Sequence, residues 1–135
     1  MTGFVRFIVP SRTHAESQTA MGLVAAAYEL SRSNDVAVPL QAELLRQLAW
    51  IEQHLAVPDR FNRTRSKGWW RREARGLSWL RADAHKHVAA LRALAATVMR
   101  CGCEVSELRE TRIGFVVYED EVQVVAEPFR DTRRR

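Results

Sequence analysis

Strand-forming runs stand at both ends of the chain, and this constrains the fold more than any other feature. Residues 3–9, GFVRFIV, and residues 113–126, IGFVVYEDEVQVVA, are rich in β-branched and aromatic side chains. The second run is broken in its middle by Glu119-Asp120. Such runs, bounded by turn residues, read as strands. One apolar strand has no stability alone, and a two-stranded hairpin is marginal in water. The two ends are therefore expected to meet in one sheet. Pro10 is expected to end the first strand. Glu119-Asp120 is a weak match to the usual two-residue turn chemistry, so a longer or bulged turn is allowed for.

Helical periods fill the middle. Met21, Leu23, Val24, Ala27, Tyr28 and Leu30 predict a first helix from about Ser17 to Ser33. Leu44, Leu48, Ile51 and Leu55 share one stripe of a second helix from Pro39 to Leu55, with Pro39 suited to its first turn. Trp50 falls about 100° from that stripe, at the expected edge of the core. Ala84, Val88, Leu91, Ala95 and Val98 predict a third helix over 82–100, with Gly102 as its stop. Residues 76–80 and 103–109 are further strand candidates. The class that satisfies this order is α+β: an antiparallel sheet of roughly three to five strands formed from both chain ends, with about three helices packed on one face. Its other face is expected to be solvated or an interface.

A length of 135 residues suits one domain. Residues 1–129 are expected to form it, with a basic tail at 130–135. Cys101 and Cys103 are too close for an ordinary disulfide framework. They are read as reduced, which points to the cytoplasm. The apolar N-terminal run is interrupted by Arg6 and lacks the long core of a secretory signal. No stretch is long enough for a membrane helix, so no membrane partner is expected.

Charge is unevenly spread. The segment 60–81, RFNRTRSKGWWRREARGLSWLR, carries eight basic residues and one acid, while 104–131 carries eight acids against three basic residues. Nineteen Arg against two Lys, with many Ala, suits a GC-rich genome, but that bias does not explain the clustering. A nucleic-acid site needs cations for phosphates and flat rings for exposed bases. Arg60, Arg63, Arg65, Lys67, Arg71, Arg72 and Arg75 supply the cations, and Trp69 and Trp70 the rings. Residues 56–76 otherwise show no period and are expected to be a long, mobile connection, which in a small domain is uncommon unless functional. The bland alternative is a solvated loop with one Trp capping the core.

Other clusters are poorer. His85 and His87 sit on opposite sides of a helix and cannot share a metal from it. His87 flanks the core stripe and is expected to be packed or hydrogen-bonded. The C-x-C lacks two further zinc ligands. The acidic turn 118–121 is expected to be exposed, with ordinary acidity, and could meet the basic segment within the molecule or across a homodimer. No nucleophile signature or phosphate loop is present. A site built from scattered residues such as Arg81, His85 and Glu127 stays open.

GFVVYEDEVQVVAEPF at 114–129, preceded by GLSWLRADAHKHV at 76–88, resembles a group of short uncharacterised bacterial proteins in which a Tyr-Glu-Asp-Glu hairpin recurs. The resemblance implies one compact bacterial domain and carries no function. The expected function is a small binding module, non-enzymatic and without a cofactor. It engages RNA or single-stranded DNA through the basic, Trp-bearing loop. A protein-binding module, an inhibitor or adaptor using the same Trp and Arg surface, is the alternative. An enzyme of unrecognised type is the third.

Overall fold

The computed structural model describes residues 3–13, 20–55, 64–66, 69–71 and 77–127, with the backbone alone at 20, 64–66 and 69–71. The first strand, β1 (Phe4–Thr13), organises the sheet. Along one edge, Phe4–Ile8 pairs antiparallel with β6 (Ser106–Glu110). Along the other edge it changes partner. Phe4 and Val5 pair with β5 (Leu77–Arg81), while Ile8, Val9 and Thr13 pair with β2 (Ala20–Gly22). Beyond β5 the sheet continues through β8 (Gln123–Glu127) to β7 (Phe115–Glu119), every pairing antiparallel. Both chain ends thus share one α+β sheet.

Two expectations are corrected in β1 and its neighbour. Pro10 does not end the strand. It lies in the irregular stretch between the paired Val9 and Thr13, where a missing N–H breaks no regular ladder. The first helix, α1 (Leu23–Ser31), starts later than its period suggests, because Ala20–Gly22 is taken by the ladder with β1.

Helix α2 (Val38–His54) begins with Pro39 in its first turn, and α3 (His85–Arg100) ends as expected at Gly102. There Gly102 takes φ 94°, and the N–H groups of Gly102 and Cys103 donate to Met99 O and Val98 O. This paired closure satisfies the last carbonyls, and the positive φ suits glycine. Leu44, Leu48 and Ile51 of α2, and Val88, Leu91, Ala95 and Val98 of α3, are buried against Val5, Phe7, Val9 and Leu80 of the sheet. All three helices pack into that one core.

The opposite sheet face is not simply solvated. Trp79, Val124 and Ala126 are buried there with Ile113, and Phe4, Leu77 and Leu108 pack on them. The segment between β6 and β7 brings Ile113 back over this face. Residues 106–110 do form a strand, but they extend the β1 edge rather than the C-terminal hairpin. No helix among the described residues is long and apolar enough to cross a membrane.

Candidate nucleic-acid interface

Within the basic segment the structure describes two short strands, β3 (Thr64–Ser66) and β4 (Trp69–Arg71). They pair antiparallel, Thr64 with Arg71, Arg65 with Trp70, and Ser66 with Trp69. Thr and Trp favour extended backbone, and the sequence between Ser66 and Trp69 is Lys67-Gly68, suited to a short hairpin connection. The expected uninterrupted connection over 56–76 therefore contains a β-ribbon. With three residues per strand, it shows no period in the sequence. Arg65, Trp69, Trp70 and Arg71 are brought onto this ribbon. Arg60, Arg63, Lys67, Arg72 and Arg75 lie outside the described residues, as does the expected mobility of the segment's remainder.

The ribbon is tethered at two places. One is Leu55, at the end of α2. There the Trp50 ring stacks on His54 at 4.1 Å and meets His87 edge-on at 5.4 Å. The His54 Nδ1–H donates to Trp50 O at 2.7 Å, and the His87 Nε2–H donates to His54 O at 2.8 Å. A carbonyl only accepts, so each bond fixes a proton on that ring nitrogen. Trp50 is half-buried at the core edge, as expected, and His87 is packed and hydrogen-bonded. Among the described residues no group of His, Cys, Asp and Glu could hold a metal.

The second tether is Leu77, at the start of β5. The five intervening residues keep Arg71 within about 20 Å of it. Leu77 pairs with Ala126, and Ala126 with Val116. Val116 thus stands two strands away, about 10 Å. It belongs to an apolar run on β7, where Phe115, Val116 and Val117 are 65%, 51% and 36% exposed. The sequence marks that run as strand; in the structure it lies on β7, at the end of the sheet beyond β8.

The acidic turn at the other end of β7 is built rather than loose. Asp120 Oδ1 accepts from the N–H groups of Val122 and Gln123, each at 2.8 Å, and Oδ2 accepts from the Tyr118 hydroxyl at 2.8 Å. Partial burial pushes the Asp120 carboxyl up. The Gln123 and Val122 N–H groups, the Tyr118 hydroxyl and the Arg81 charge outweigh it, and the net shift is downward. The expected ordinary acidity is corrected for this residue. Arg81, the last cation of the basic segment, donates to Asp120 O at 2.8 Å and to Glu119 Oε2 at 2.9 Å. Those bonds engage it with the turn. Cys101 and Cys103 are free thiols, and burial pushes Cys101 up.

No protein-family model matches the chain, and neither curated proteins nor solved structures give a match.

Proposed function

We propose that this protein is a small non-enzymatic binding module that engages RNA or single-stranded DNA through the β3–β4 ribbon and its basic flanks. The pairing of Arg65 with Trp70, one rung from Trp69, carries this reading. The backbone pairing brings an Arg and a Trp to one rung of a ribbon, and cations with rings are the combination that follows a phosphate backbone and stacks on exposed bases. The ribbon's own neighbours in sequence are cations on both sides, Arg63 before it and Arg72 after it. The two free thiols support a reducing, cytoplasmic setting. Membership of the group of short bacterial proteins with the Tyr-Glu-Asp-Glu turn belongs to the same proposal.

The test is binding of single-stranded RNA and DNA as salt is varied. With roughly five phosphate contacts, log K falls with log salt at a slope of about −3 to −4. Replacing Arg63, Arg65, Arg71 and Arg72 together by Gln flattens most of that slope. Trp69→Ala and Trp70→Ala each cost about 1–3 kcal/mol of binding and leave the slope nearly unchanged. A wild type that retains neither polymer at low salt ends the proposal.

The exposed Phe115–Val117 run favours a second reading, a protein contact on β7, with a second copy of this chain or another protein. Val116→Lys abolishes such a contact and leaves the salt slope untouched. Sedimentation of the wild type and of Val116→Lys over a concentration series tests the contact between copies.

A further inference from the structure

We propose that Arg6, Gly22, Trp79 and the first turn of α1 form a second site, specific for a tetrahedral oxyanion of the phosphate class, at the seam where β1 exchanges β5 for β2. The site shares no residue with the β3–β4 ribbon and stands independently of that reading.

Arg6 falls in the break between the two ladders, after Val5 leaves β5 and before Ile8 joins β2. A charged side chain here is an oddity of the sheet. Arg6 is only 9% exposed. Its Nη1 donates to Ser78 O at 2.9 Å, and among the described residues its Nε has no partner. Among the described residues no carboxylate pairs with it. Burial draws the guanidinium down to about 10, so it remains charged at neutral pH. A buried cation without an anion is one of the costliest arrangements a small domain can hold.

Two further donor groups flank the same seam, the Trp79 indole and the first turn of α1. Trp79 belongs to the same sheet face as Phe4, two residues before Arg6. It is 4% exposed, and its Nε1–H has no partner among the described residues. The guanidinium also lies against Gly22, with Nη2 3.3 Å from where a Cβ would stand. Gly22 is the N-cap of α1, a helix of nine residues with no capping side chain and no acid in its first turn. First-turn N–H groups find no partner within their own helix, and that end carries positive partial charge. A guanidinium beside it adds charge of the same sign. An oxyanion reverses the sign of every one of these interactions. With a guanidinium, an indole N–H and a helix end as donor groups, three acceptor oxygens would meet one each, which a phosphate group offers and a planar carboxylate does not.

The experiment follows the indole N–H resonances of the isotope-labelled full chain during titration with inorganic phosphate, against chloride at matched ionic strength. The Trp79 signal is the one that disappears in Trp79→Phe. It is expected to shift and saturate with phosphate and with sulfate, but not with acetate, while the thermal midpoint rises with the logarithm of phosphate concentration. Arg6→Met, near in length and uncharged, weakens binding about ten- to a hundred-fold, the loss expected for a charge-assisted hydrogen bond. Gly22→Ala has an ordinary helical-cap backbone but crowds Nη2; it also weakens binding and keeps the fold. A mononucleotide arm identifies the source. Binding of either ligand supports the site, and the tighter one tells whether it takes a free ion or a phosphoryl group on a larger molecule. The inference is overturned if the Trp79 resonance shows no saturable shift in the wild type. It is equally overturned if Arg6→Met binds phosphate as tightly as the wild type, since Arg6 would then only fill the seam.

Discussion

Asp120 shows how much one side chain can hold. Its three accepted bonds close the β7–β8 turn, and two of the donors are backbone N–H groups. Asp120→Ala is expected to cost about 1–3 kcal/mol, read from denaturant unfolding. The sign of its pH dependence follows from the lowered acidity constant. A carboxylate depressed in the folded state stabilises fully above its unfolded value and loses that contribution as pH falls through the folded one. Glu107 acts in the same direction, lowered chiefly by its bonds with Arg92, with burial opposing and Arg109 assisting. Stability is therefore expected to be level at neutral pH and to decline below the ordinary carboxylate range, less steeply in Asp120→Asn. At the alkaline end, Tyr28 is pushed up to about 12, first by burial and then by its hydroxyl's bond to Glu52. Tyr118 is raised as well, by its bond to Asp120. Tyrosinate absorbance is expected to develop late, and Tyr28→Phe removes the step near 12. A step at the ordinary phenol value of about 10 for both rings would contradict the two hydrogen bonds.

At the level of elements, β1 is the piece whose removal the fold cannot absorb. It supplies Val5, Phe7 and Val9 to the helix-covered core and backbone partners to three strands. Deleting residues 1–9 is expected to unfold the domain, with loss of the near-ultraviolet Trp signal. A truncated chain that stays folded and monomeric would remove this architecture. Most of the elements could be read in the sequence because long periods survive packing: Leu44, Leu48 and Ile51, or Val88, Leu91, Ala95 and Val98, mark one helix face each. What could not be read depends on distant partners. Ala20–Gly22 has helical company in sequence, yet the edge of β1 claims it. Trp79 looks like one residue of a half-buried strand, and only the return of Ile113 closes the second face over it. The candidate site was legible as composition and not as geometry. Arg65 and Trp70 are five residues apart in sequence, and nothing in that spacing announces that they share a rung. Arg6 was visible merely as a charge inside an apolar run; its unpartnered Nε becomes evident once Gly22 and Ser78 lie beside it.

Across the whole molecule, the uneven charge has a partial internal answer. Glu107 is met by Arg92 from α3 and by Arg109 from its own strand, and Glu119 by Arg81. The acidic C-terminal third therefore draws its recorded counter-charges from α3, β6 and β5. Arg81, at the end of the basic segment, is bound to the turn in this way. The order of strands has a further effect, on how the chain comes into being. Val5 emerges early in synthesis, yet its backbone partners are Leu80 and Arg109. Val5 has no ladder partner until Leu80 has been made, and its second partner, Arg109, follows later still; contacts between such remote segments are slow to find. Refolding is expected on the millisecond-to-second scale, far slower than for a helical bundle of this size, and stopped-flow Trp fluorescence would show it. During translation the Phe4–Val5 end of the first strand must wait unpaired, so a nascent chain stalled before Leu80 should be the form that aggregates or recruits a chaperone.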